Sequence, residues 1–164
     1  LGTNRPRYTM LMGIEIPDNQ GNTIFSSGFN AYEKLPDEMK EKIKDATGTF
    51  SSEGPIAITR IEREKEMGIT TAKKMEAEHS IVQVVNGKKS LYISPGHLIR
   101  INNVDEKDKE KIKSFLIDHV NKEEFIFSYK WSKGDLVLWD NLSVMHKASE
   151  IKNCRRVMHR ITIK

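Results

Sequence analysis

Apolar and polar positions alternate with a period of two over Tyr8–Ile16, where Met10, Met12, Ile14 and Ile16 oppose Thr9, Leu11, Gly13 and Glu15. Successive strand residues point to opposite faces, so this run predicts a strand. Pro17 to Asn22 (PDNQGN) has turn composition, Thr23-Ile24-Phe25 reads as a short strand, and Ser26-Ser27-Gly28 closes it. Phe29 to Leu35 predicts a short helix, and Pro36-Asp37 suits the first turn of another that ends near Asp45. His79–Val85 and Lys89–Ser94 flank Asn86-Gly87, a strong hairpin signal. Asn103 with Glu106 resembles a capping box, and the helix it opens carries Ile112, Phe115, Leu116, His119 and Val120 on one stripe. Glu124–Trp131 and Asp135–Trp139 predict two strands about a Ser132–Gly134 turn, and Arg155–Ile163 a last one. Residues 46–77 are broken at Ser51–Pro55 and lack a convincing apolar stripe, which marks them as a candidate lid or insert. Many short strands, Gly/Asn turns and few helices predict a mainly β sandwich or barrel with helical decoration.

The last strand poses the functional question. Its alternation puts Arg156, Met158, Arg160 and Thr162 on one face and Val157, His159, Ile161 and Ile163 on the other. If the arginines face solvent, the Val/Ile side is the core side and nothing more is required. If they face inward they need anions, because a buried unpaired cation is too costly to keep. Periodicity leaves both readings open.

Composition narrows the classes. A chain of 164 residues is enough for one domain with a sizeable core. Hydrophobic content of 37% and a mean hydropathy of −0.56 describe a fairly polar chain with no membrane span, and no signal peptide opens it. The net charge of +4 is spread through mixed runs such as KLPDEMKEKIKD, the pattern of solvated helix faces, so nucleic-acid binding is disfavoured. A single cysteine, Cys154, excludes an intrachain disulfide and fits a reducing cytoplasm. No HExxH, Cys-x-x-Cys pair, P-loop, GxGxxG or G-x-S-x-G occurs, so hydrolase, kinase and Rossmann readings lack their parts. Of five histidines, His146 is the one to weigh as metal ligand, general base or satisfied buried side chain.

Trp139-Asp140-Asn141, then His146-Lys147-Ala148, then RRVMHR from Arg155 to Arg160, resemble the C-terminal signature of the taurine dioxygenase (TauD/TfdA) family of iron(II)- and 2-oxoglutarate-dependent oxygenases. PDNQGNTIFSSGFNAY is similar to that family's proline-turn-Gly-x-Thr segment and following helix. EHSIVQVVNGKKSLYISPG is similar to its central hairpin, and YKWSKGDLVLWDN to its penultimate strand pair. The resemblance implies a double-stranded β-helix (jelly roll) with flanking helices. It implies that His146 is the distal histidine of a 2-His-1-carboxylate facial triad for Fe(II). Arg156 then pairs with the far carboxylate of 2-oxoglutarate, with help from the Thr23 hydroxyl, and Arg160 holds an anionic group of the substrate. No His-x-Asp or His-x-Glu, which the family places just upstream of RPRYTML, exists in these 164 residues, so the expectation is an N-terminally incomplete jelly-roll domain over 1–164.

The function so implied is hydroxylation of a small anionic substrate (sulfonate, sulfate ester or carboxylate) with release of succinate and CO2. The alternative is a non-catalytic jelly-roll module with a degenerate metal site. Expected partners are a small-molecule substrate and O2, without nucleic acid or membrane; a homo-oligomer is compatible. The expected location is the cytoplasm.

Overall fold

A computed structural model of the chain describes residues 5–57, Gly68 and residues 75–164. In chain order the elements are β1 (Tyr8–Glu15), β2 (Thr23–Ser27), α1 (Gly28–Glu33), α2 (Asp37–Ile43), β3 (Thr47–Ser51), β4 (Glu76–Ser80), β5 (Val82–Val85), β6 (Lys88–Leu91) and β7 (Leu98–Asn102). There follow α3 (Lys109–Val120), β8 (Ile126–Tyr129), β9 (Leu136–Asp140), β10 (Val144–Ala148) and β11 (Val157–Ile163). The chain is mainly β, and its described helices include none long and apolar enough to cross a membrane.

Two antiparallel sheets, ordered β11-β1-β9 and β10-β2-β8, form the jelly roll. They face each other: Phe25 on β2 meets Trp139 on β9 edge to face, with ring centroids 5.3 Å apart. Such a pair is worth about 0.5–1.5 kcal/mol beyond the area it buries.

The register of the first sheet decides which way the last strand turns. Thr9 pairs with Trp139 on one side and Thr162 on the other, and Leu11 with Val137 and Arg160. Residues directly opposite share a face. Thr9 and Trp139 are only 5% and 7% exposed, whereas Leu138 and Ile161, on the opposite face, are 57% and 56% exposed. The arginine face therefore looks between the sheets and the isoleucine face looks out. This inverts the ordinary rule for a half-buried strand.

Residues 28–125 leave this pair of sheets and return to it, carrying the helices, a β4-β3-β7 sheet and the β5-β6 hairpin. Here lies the main apolar core, in which Phe50, Ile81, Leu91, Ile101, Ile112, Leu116 and Val120 are nearly or fully enclosed. Burying each such side chain contributes about 1.5–3 kcal/mol. Asn86 and Gly87 both take positive φ, 51° and 77°, the geometry of the two-residue hairpin turn that their sequence predicts.

Several details differ from expectation, among them that the strand expected over His79–Val85 is divided between β4 and β5, which lie in different sheets. Asn103 caps nothing: it sits at φ 58° and donates to the Asp45 carbonyl, while the Asp105 side chain caps a 3-10 turn at Glu106–Asp108 ahead of α3. Within the segment taken as a candidate lid, Thr47–Ser51 is the central strand of its sheet, with Phe50 fully buried. Most of the remaining candidate lid, 58–67 and 69–74, lies outside the described residues.

Candidate functional site

Thr23 opens β2 directly after the Pro17–Asn22 turn, and its side chain lies between the sheets, 3% exposed. Its Oγ1 accepts a hydrogen bond of 2.9 Å from the indole Nε1 of Trp131, just past β8. That turn also fixes the loop leading into β11. Ser149 N donates to the Asn22 carbonyl and Lys152 N to Gln20 Oε1, each at 2.8 Å. Arg155 Nε lies 3.3 Å from Glu15 Oε2. The loop so held delivers Arg156, whose Cδ packs over Gly21 and whose Cζ stands 6.0 Å from the Trp131 ring centroid.

Arg156 shows an unusual state. Its Nε and Nη2 are both buried and have no hydrogen-bond partner. Burial shifts its ionisation downward from the ordinary arginine value, but a guanidinium remains charged at neutral pH. Two buried N–H donors of a cation without an acceptor cost several kcal/mol on the usual scale. A bound carboxylate removes that cost, because its two oxygens match the planar fork.

His146 lies in the middle of β10, directly opposite Phe25 of β2. Its ring centroid is 4.7 Å from Trp139 and 6.4 Å from Phe25. By surface area it is exposed, yet it sits against these two rings, and the ordinary imidazole value is lowered first by burial, then by the fields of Arg160 and His97. The imidazole is thereby favoured in its neutral form, the form that ligates a metal. Arg160, on β11 of the opposite sheet, sends its field across the gap to His146 and makes no ion pair among the described residues. The structure thus gathers Thr23 and Arg156 around Trp131 and brings Arg160 toward His146.

The fit to the expected ligands differs between them. For a carboxylate anion, the two orphaned Arg156 donors and the Thr23 hydroxyl are donors of the fitting kind, and both residues lie against Trp131. For a metal, His146 is one donor, and no group of three His, Cys, Asp or Glu residues able to hold an ion exists among the described residues. These residues therefore do not by themselves make a complete iron site.

Sequence reasoning passed over three contributors. Trp131 looked like an unremarkable strand end, and its contact with Thr23 spans 108 positions. Gly21 reads as part of a turn and of the Gly-x-Thr resemblance, but neither foretells its contact with Arg156. His97, in the loop after Gly96, has Nδ1 2.9 Å from Ser94 Oγ, and burial lowers its ordinary value. Its Ser94-Pro95-Gly96 setting was visible, but its influence on His146 was not. Cys154 is exposed.

The chain is similar to known proteins over nearly all its length. An alkylsulfatase of Acinetobacter baylyi is 32% identical, covering 96% of this chain and 52% of the relative. An alpha-ketoglutarate-dependent sulfate ester dioxygenase of Pseudomonas putida is 26% identical, covering 96% and 55%. The chain thus spans about half the length of these curated relatives. A taurine dioxygenase from Burkholderia xenovorans superposes with a TM-score of 0.78 at 26% identity, covering 96% of this chain and 52% of that one. AAD-2, solved with Mn(II) and N-oxalylglycine, gives 0.77 at 25% identity over 96% and 63%. With residues 2–162 matching its model, the chain belongs to the taurine catabolism dioxygenase TauD, TfdA family.

Proposed function

We propose that this chain contributes the 2-oxoglutarate-binding part of the active site of a 2-oxoglutarate-dependent dioxygenase acting on a small organic anion, with release of succinate and CO2. The observation that carries this reading is the pair of buried Arg156 donors without a partner, set beside the Thr23 hydroxyl. A dicarboxylate seated there has its far carboxylate gripped by a guanidinium fork and one hydroxyl. Its oxo-acid end is then free to reach toward His146.

Ferrous iron, with His146 as one ligand, would supply the oxidising chemistry together with 2-oxoglutarate and O2. The chain's own part is to bind and orient. Phe25 and Trp139 wall His146 on one side. Arg160 adds a second cation on the inner face, placed to hold the anionic group of the substrate. The names of the two relatives above favour a sulfate ester, and a sulfonate or carboxylate offers the same chemistry to Arg160.

The second reading, a jelly-roll module that binds without catalysis, rests on the incomplete set of metal donors among the described residues. One experiment separates the two. Full-length protein is titrated anaerobically with Fe(II) and 2-oxoglutarate, then given O2 and an alkyl sulfate. The enzyme reading predicts a weak visible charge-transfer band followed by succinate formation. Binding of 2-oxoglutarate without the band and without succinate favours the module.

A further inference from the structure

The Thr23 hydroxyl has one proton to give and can accept in two directions, and it turns freely unless a neighbour fixes it. An indole N–H has no such choice, being a donor only. Because Trp131 Nε1 donates to Thr23 Oγ1 at 2.9 Å, the Thr23 proton must point away from the indole. Trp131 and Thr23 are 4% and 3% exposed, so little water competes for either group. No described residue accepts the Thr23 proton, and near the ring of the same indole stand the two unpartnered donors of Arg156.

We propose that Trp131 is a positioning residue for the cosubstrate: its N–H takes one acceptor site of the Thr23 hydroxyl and turns the hydroxyl proton away from the indole, and its ring walls the Arg156 guanidinium, so that both present protons to one carboxylate. The role rests on the 2-oxoglutarate reading above. At 6.0 Å the cation lies at the outer limit of a cation–π contact, so the ring acts chiefly as a wall. The side chain touches neither substrate nor reacting atoms. It acts through Thr23.

The test uses full-length protein with four forms, wild type, Trp131→Phe, Thr23→Ala and the double variant. Calorimetry measures the affinity of each for 2-oxoglutarate and for N-oxalylglycine. Trp131→Phe keeps the ring and removes the N–H, and is expected to weaken both ligands about 5–10-fold, the size of one hydrogen bond. The rate at saturating 2-oxoglutarate should change less than twofold. The double variant should bind no more weakly than Thr23→Ala alone. Wild-type affinity in Trp131→Phe, or losses that multiply in the double variant, overturns the role.

Should Trp131→Phe not fold, the indole N–H resonance of Trp131 in the other forms gives the answer. It should shift when N-oxalylglycine is added to wild type and lose that response in Thr23→Ala; an identical response in both overturns the role. Failure of the wild type to bind either 2-oxo acid removes the cosubstrate reading and this role with it. Normal wild-type binding with an unaffected Trp131→Phe removes this role alone.

Discussion

A Cβ placed on Gly21 would stand 2.8 Å from Cδ of Arg156 and 3.1 Å from its Nε. The backbone there has φ +72°, which L side chains rarely adopt. The glycine is therefore required twice, once by the turn and once by the guanidinium that lies across it. Gly21→Ala should lower stability by about 1–3 kcal/mol, combining backbone strain with a displaced side chain. It should also raise the Kd for 2-oxoglutarate about 10-fold or more. Denaturant unfolding and calorimetry read the two effects separately. Lost stability with unchanged affinity would mean that the contact with Arg156 is incidental.

Arg156 and Arg160 lie four positions apart but serve different ligands in this reading. Arg156→Ala should weaken 2-oxoglutarate by about 2–4 kcal/mol, the scale of charge-assisted bonds to a carboxylate, with little change in substrate affinity. Arg156→Lys should restore only part of that loss, since an ammonium has no planar fork. Arg160→Ala should raise the KM for the anionic substrate and leave 2-oxoglutarate nearly untouched. Identical effects of both alanine variants on both ligands would show that the two roles are wrongly divided.

How much of this could be read beforehand depended on whether the signal was local. Asn86-Gly87 states its turn in two residues, because both must take positive φ. The stripe on α3 is also local, and Ile112, Leu116, His119 and Val120 are buried as the helical period requires, whereas Phe115, at the edge of the same stripe, is 36% exposed. β3 escaped notice because TGTFS has no alternation: Gly48, Thr49, Phe50 and Ser51 are all buried, so polarity does not mark a face. β10 escaped for the opposite reason. It has no buried residue in this chain and so carries no hydrophobic rhythm. The resemblance of residues 139–160 to the family supplied what periodicity could not, since alternation showed that the arginines share a face but not which way that face looks. Pairing of Leu11 with both Arg160 and Val137 decides that direction.

The half-buried histidines predict an acid-sensitive fold. His79 packs against Phe50 and Tyr92, with ring centroids 5.9 and 6.1 Å away, and Arg5 lies over the same tyrosine. Burial, then the Arg5 charge, holds His79 below the unfolded value of 6.5. The folded state thus binds this proton less readily than the unfolded chain. Its contribution to stability is complete above the unfolded value and is lost as pH falls through it toward the folded one. His97 and His146 shift in the same direction. The denaturation midpoint should therefore drop between about pH 7.5 and about pH 5.5, and His79→Gln should flatten the drop. Equal slopes for wild type and variant would assign the effect to other groups.

Asn141 is the last residue whose importance follows from geometry, because it ties Trp139 to the start of the chain's first strand. Its Oδ1 accepts from Trp139 Nε1 at 2.9 Å, and its Nδ2 donates to Thr9 Oγ1 at 2.8 Å and to the Pro6 carbonyl at 3.2 Å. Its own N–H donates to the Arg7 carbonyl. One amide therefore fixes the wall behind His146 to the start of β1, while the neighbouring Asp140 pairs with Arg7 at 2.7 Å. Asn141→Leu leaves the buried Trp139 N–H and Thr9 hydroxyl without their partner, at about 1–3 kcal/mol each. The total loss should be about 2–5 kcal/mol, with a change in Trp139 emission as the indole loosens. Asn141→Asp keeps the acceptor for Trp139 and surrenders only the donations to Thr9 and Pro6, so its loss should be clearly smaller. If leucine and aspartate proved equally damaging, the bond to Trp139 would not be what holds the indole against His146.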